Sequence, residues 1–324
     1  MEGALLRGAG TEALQLAAKL AAPPPGNEDS KYAECVGARL RTPPAIQASV
    51  DPFAAQVALA YQRYWQKSFP AAANRKANED TLQATLAKLA GLSGKHDFGD
   101  VEAAITEKLQ ARGFFALTGL TPPFRELMLW RKQTERDFTV ALPEQEYTAH
   151  VVMLDDFVSL GWAAWATCEH RANGGWATET ALYAVMPRYA GGIDGNEFRS
   201  VLLTHETQHF ADKNRFKSLK PWELEYRAKL AELWAADESV ARDRLGKFIS
   251  SQSEDEALAH PYADRKLISA LTQTLGRSPQ QTPLAELHHA AEVLLRQDTE
   301  QRIARGEGSA AKEESLKVSA SPAH

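Results

Sequence analysis

From Phe198 to His209 the chain reads Phe-Arg-Ser-Val-Leu-Leu-Thr-His-Glu-Thr-Gln-His, and a single stripe runs through it. Phe198, Val201 and Leu202 recur at helical spacing, and His205 and His209 continue the same line. Asp194, with Glu197 three residues on, has the form of an N-cap and capping box that would start this helix. Residues four apart on a helix lie one above the other, so both imidazoles can reach one metal ion. Glu206 is rotated only about 100° from His205, at ~3.6 residues per turn, close enough to address a water on that ion. The plain alternative is a buried helix with two hydrogen-bonded histidines and a chance glutamate.

Imidazole nitrogens suit Zn²⁺, and a hydrolytic zinc site takes a third protein ligand and leaves the fourth position to water. Asp212 lies too far along the helix to converge with both histidines, and is expected instead to orient His209 through its other ring nitrogen. The better source of a ligand is the next helix. Pro221-Trp222 has the look of a helix start, and the run from Glu223 to Glu232 is rich in strong helix formers. Only 11 residues separate His209 from Pro221, enough for a turn and an antiparallel return. Glu225, Ala228 and Glu232 share one face of that helix, and the small Ala228 lets the two helices approach. Glu223 is the rival ligand. It stands about 200° from Glu225, so only one of the two can face the metal.

His205-Glu-Thr-Gln-His209 followed by Glu225-Tyr-Arg-Ala228 resembles the gluzincin pattern of metallopeptidases, H-E-x-x-H with a downstream glutamate on a second helix. The resemblance implies that His205, His209 and Glu225 bind zinc, that Glu206 is the general base, and that the core is zincin-like. It covers about 40 residues, and some such families carry an aspartate directly after the alanine where this chain has Lys229. The type with three histidines is set aside: Phe210-Ala-Asp-Lys-Asn follows His209, and no histidine appears again until His260.

With 324 residues, 44% of them hydrophobic, the chain can bury a large core. Its 37 basic and 42 acidic residues give a net charge of -5, which argues against a nucleic-acid-binding surface. No apolar run approaches the ~18 residues of a transmembrane helix. Glu12 and Lys19 interrupt any hydrophobic region near the N-terminus, so no clear export signal is read and a cytoplasmic location is expected, with a periplasmic or secreted one if the start is trimmed or misassigned. Cys35 and Cys168 could pair in an oxidising compartment, although two isolated thiols are more often small buried residues, and Cys168-Glu169-His170 is not expected to act as a nucleophile and base.

The predicted fold class is α+β, mostly helical, with a small sheet directly before the histidine helix. Residues 1–30, ending in Pro23-Pro24-Pro25-Gly26, read as a flexible lead-in. Residues 31–135 read as a helical lobe, with stripes such as Val57, Tyr61 and Tyr64, or Leu82, Leu86 and Leu89. Residues 136–305 read as the zincin-like catalytic region. In it, 147–154, 157–165 and 176–186 are predicted strands, and helices are predicted over 239–249, 267–275 and 283–302. Adjacent His288 and His289 are placed on a surface. Residues 306–324 read as a disordered tail.

These residues point to a zinc-dependent hydrolase, foremost a metallopeptidase acting on a peptide or protein substrate, with an oxyanion donor among Tyr226, Arg227, Tyr183, Tyr189 and His170. Two other readings remain. One is a catalytically inactive, zinc-stabilised binding or regulatory module. The other is a metal-free helical scaffold.

Overall fold

The computed structural model describes residues 1–20, 27–46, 50–70, 72–178, 180–216 and 218–308. Helices dominate, accompanied by a single five-stranded sheet, so the fold is mostly helical α+β. The strands are β1 (Phe115–Thr121), β2 (Phe124–Ala141), β3 (Glu146–Leu160), β4 (Gly175–Ala177) and β5 (Leu182–Val185), in the order β1-β2-β3-β5-β4. The chain divides into two compact units, residues 1–133 with 154–173, and residues 134–153 with 174 onward. Strands β2 and β3 each contribute residues to both.

The first unit holds helices α1 (Glu2–Leu6), α2 (Gly10–Leu20), α3 (Glu28–Arg41), α4 (Pro52–Ser68), α5 (Arg75–Ala90), α6 (Phe98–Gln110) and α7 (Trp162–Ala166). Their starts follow from local chemistry: Asn27, Asp51 and Asp97 each accept a backbone N–H of the first turn of α3, α4 and α6. The core is aromatic, with Trp65, Phe69, Phe124, Trp162 and Trp165 clustered, and Leu5, Val36, Tyr61, Leu86 and Ile105 buried around them. Gly161 has φ +95°, and a Cβ there would stand 2.6 Å from a carboxylate oxygen of Glu126. That buried carboxylate accepts the N–H of Trp162 and so closes the turn from β3 into α7.

Several expectations change here. Residues 2–20 are not a flexible lead-in but two helices, because Ala4, Leu5, Ala13 and Ala17 have a core to pack against. The Pro23–Gly26 stretch itself lies outside the described residues. The helical lobe carries β1 and the first part of β2, since Leu127 and Leu129 alternate inward toward the aromatic core and the strands pair from Phe115↔Trp130 to Thr121↔Phe124. The strand expected over 157–165 stops at Leu160, where the left-handed Gly161 turns the chain into α7. Cys35 and Cys168 are bonded to each other, closing a loop across 133 residues between α3 and the turn after α7.

The second unit contains the β2–β3 hairpin end, β5, β4 and helices α8 (His205–Arg215), α9 (Pro221–Ala235), α10 (Glu238–Ser250), α11 (Ala259–Leu275) and α12 (Leu284–Ala304). One cluster joins Phe138, Val140, Val151, Leu182 and Ala184 of the sheet to Phe198, Leu202, Leu203 and Ala211. The sheet therefore backs the helix that carries the histidines. A second cluster packs α9 through α12 around Leu230, Leu233, Leu245, Leu267, Leu271, Leu287 and Leu295. The strand expected over 176–186 is a short hairpin, β4 and β5, with its register set by Trp176↔Tyr183. His288 is half-buried and reaches the carbonyl of Ala236, whereas His289 is exposed. Most of the expected tail, 309–324, lies outside the described residues, while Gly308 forms a bridge with Phe216. Among the described residues no helix is long and apolar enough to cross a membrane.

The 133-residue separation of the cysteines makes the bond a large constraint on the unfolded chain. Cys35→Ser or Cys168→Ser should cost about 2–5 kcal/mol. Chemical denaturation of each variant beside the parent, with and without reductant, measures this; reductant should lower the parent to the variants and leave the variants unchanged.

Candidate metal centre

The helix bearing the histidines does not begin as expected. Asp194 ends a 3-10 turn (Gly192–Asp194) and pairs with Arg199 instead of capping. Asn196 does the tethering: its amide donates to the carbonyl of Ala235 and its oxygen accepts the N–H of Asp237, so the start of the helix is tied to the α9–α10 junction. From Phe198 to Thr204 the chain is π-helical, and Thr204 Oγ1 bonds the carbonyl of Arg199, five residues back. Regular α-helix begins at His205. Such π segments are uncommon and gather at functional sites.

His205 and His209 lie on α8, both buried, with ring centroids 4.8 Å apart. Glu225 faces them from α9, which packs against α8. Its Oε2 stands 3.6 Å from Nε2 of His205 and its Oε1 3.2 Å from Nε2 of His209. The three residues each offer a ligand atom, all within 4.8 Å of one another. The fully buried Ala228, one turn beyond Glu225, is what allows this approach. Glu223 points elsewhere: its carboxylate accepts the N–H of Lys220, capping α9, and a hydrogen bond from Arg302.

The outer nitrogen of His205 is held by a residue whose role the sequence reading did not assign. Nδ1 donates to Oε2 of Glu232 at 2.9 Å, and Arg244 of α10 clasps the same carboxylate. Glu232 is completely buried. The position directly after Ala228, Lys229, instead turns to α11, pairing with Asp264 and the carbonyl of His260. The carboxylate that orients His205 comes from Glu232, about two turns beyond Glu225 on α9. Its signal in the sequence was the face shared with Glu225.

Asp212 is buried but does not receive His209. Its Oδ1 accepts from Gln208 and pairs with Arg227 at 2.9 Å, whereas its Oδ2 and Nδ1 of His209 are both buried without a hydrogen-bond partner. Arg227, also completely buried, joins Asp212 to Asp298 and Thr299 of α12, so it is a strut rather than a donor to a substrate. Tyr189 donates its hydroxyl to Gly174, Tyr183 stacks on Trp176, Tyr226 packs among α9–α12, and His170 stacks on Tyr32 in the first unit. Burial pushes the Tyr226 phenol up to about 12, which favours its neutral form. Glu206 is half-buried and forms no salt bridge among the described residues.

The ligand atoms fit a cation better than they fit each other. Oε2 of Glu225 is buried and no donor is aligned on it, although His205 and His260 stand near. Two imidazoles and a carboxylate make a donor set of the kind that holds a transition-metal ion. Comparison with protein-family models, curated proteins and solved structures found no match to this chain.

Without metal, burial acts to lower the His205 pKa, but the contacts with Glu225 and Glu232 outweigh it and push it up to about 9. Burial acts to raise the Glu225 carboxyl, yet His205, His209 and His260 hold it far below the usual range. Because the folded pKa of His205 is raised, its contribution to stability is fully present below pH 6.5 and is lost as pH rises through about 9. In the metal-free protein the stability difference between the parent and His205→Gln should therefore shrink over that window, as read by denaturant unfolding at each pH. Zn²⁺ must displace the same proton, so its affinity should rise up to about tenfold per pH unit there. Glu225→Ala should weaken Zn²⁺ binding by more than about 100-fold, since it removes a ligand rather than a support, whereas Glu223→Ala should change it little. Competition against a chromogenic chelator separates the two.

Proposed function

We propose that the chain is a zinc-dependent hydrolase, most specifically a metallopeptidase of gluzincin type with a zincin-like core. The observation that carries this reading is the convergence of His205, His209 and Glu225 within 4.8 Å, with Glu206 adjacent to the first ligand and free of salt bridges among the described residues. His205, His209 and Glu225 would hold Zn²⁺, which supplies a Lewis acid for the scissile carbonyl and makes water acidic. Glu206 is the general base. It takes the proton of the attacking water and returns it to the leaving amine, so one carboxylate serves both halves of the reaction. A glutamate is not needed at this position to hold metal, and its presence favours catalysis over a purely structural site.

The substrate class follows from the surroundings of the helix. Strand β4 is at the end of the sheet order and packs against α8. An extended peptide can add to such an edge by main-chain hydrogen bonds. The Cys35–Cys168 bond favours an oxidising compartment, periplasmic or extracellular, over the cytoplasm.

Glu206→Gln keeps the shape of the side chain and loses its basicity. The variant should bind one equivalent of Zn²⁺ with unaltered affinity and lose at least about 10²–10⁴-fold in peptide hydrolysis. Profiling the zinc-loaded parent and variant against a mixed peptide library checks it. Equal cleavage by both would remove Glu206 from the mechanism, and inertness of the parent with metal bound would favour the binding module.

A further inference from the structure

Glu225 and Lys229 lie four apart on α9, one above the other, and both reach His260 at the start of α11. Nδ1 of His260 stands 2.9 Å from Oε2 of Glu225, and Lys229 Nζ donates to the carbonyl of His260 at 3.1 Å. Lys229 is almost wholly buried. Its ammonium pairs with Asp264 on the next turn of α11 at 2.5 Å and lies 5.0 Å over the ring of Phe248. Asp264 is held in turn by the hydroxyl of Ser251, and Ser253 N–H bonds the carbonyl of Pro261 beside His260. The main chain at His260 is thus fixed from two sides, while its imidazole is 68% exposed.

Burying an ammonium is costly, and an apolar side chain would fill the space between α9 and α11 at lower cost. What the ammonium adds is direction: a bond aimed at one carbonyl, that of the residue whose ring meets Glu225. His260 is not in the three-residue ligand group, so it approaches the carboxylate from outside. Ligating carboxylates commonly depend on such outer partners for their orientation.

We propose that Lys229 and His260 form a positioning pair for Glu225. Lys229 anchors the main chain of His260, and the imidazole of His260, 2.9 Å from Oε2 though not aligned on it as a donor, closes off that side of the carboxylate so that it keeps its approach to His205 and His209. This rests on the reading that His205, His209 and Glu225 bind metal. It gives a purpose to the lysine that stands where related patterns have an aspartate.

The test uses the full chain, stripped of metal and titrated with Zn²⁺ against a chelator, and with Co²⁺ followed by its visible absorption. His260→Ala should weaken Zn²⁺ binding about 10–100-fold and alter the Co²⁺ bands, while the metal-free protein stays folded. His260→Asn, whose amide nitrogen stands where Nδ1 stands, should restore most of the affinity and the spectrum. Lys229→Met should act in the same direction as His260→Ala. If Lys229→Met fails to fold, the exposed His260 variants decide alone. Stoichiometric binding by the parent with an unchanged affinity and spectrum in His260→Ala would overturn the pair and leave the metal site standing. A parent that binds neither Zn²⁺ nor Co²⁺ would overturn the metal reading and this proposal with it.

Discussion

An ionised carboxylate inside a protein costs several kcal/mol unless cations and donors surround it, and Glu232 sits with no exposed surface where α8, α9 and α10 meet. Its charge is met on one side by Arg244 and on the other by the N–H of His205. Removing either partner would leave a buried charge uncompensated, typically at about 3–5 kcal/mol. The rotamer of His205 is thereby set before any ligand arrives. The ring's other nitrogen has only one direction left to face, and that direction holds Glu225.

A second buried chain of charges does for helix placement what Glu232 does for the ring. Arg227 links Asp212 on α8 to Asp298 on α12, and Arg302 continues the chain to Glu223 and Glu307. Glu223 and Glu225 are two residues apart on one helix, yet one belongs to this scaffold and the other to the candidate ligand group. Sites that must hold ligands to within a fraction of an ångström need such support, because loosely packed helices drift. The apolar clusters supply cohesion here, and the directed ion pairs supply register.

Local periodicity made α9, α10 and α12 legible in the sequence, along with the inward-facing histidines, because each depends on residues a few positions apart. The pairing of Glu225 with the histidines was legible for the same reason, through Ala228 and the short connection between helices. Glu232, Arg244 and His260 were harder. Their roles depend on how three further helices pack, and nothing within one turn of each announces a partner. The strands β1 and β2 were missed because Phe124, Leu127 and Leu129 bury against an aromatic core assembled from distant segments. The disulfide was left open for want of any spacing rule that joins cysteines 133 residues apart.

The π-helical stretch from Phe198 to Thr204 changes what kind of object the histidine helix is. A π turn accommodates more than four residues where an α turn takes fewer, so it acts as one extra residue wound into the rod. The sheet-facing Phe198 and Leu202 and His205 of the candidate metal site are thus phased by a widening of the backbone, not by the ordinary helical repeat. A chain shortened by one residue anywhere in that stretch could rewind into plain α-helix with nearly the same hydrogen bonding. Its histidines would stay on nearly the same side relative to the sheet, because one residue fewer at the tighter α winding turns the chain through roughly the same angle. In this protein the tolerance of a segment to gain or loss of a residue, normally a property assigned to loops, is concentrated inside a helix at the edge of the site.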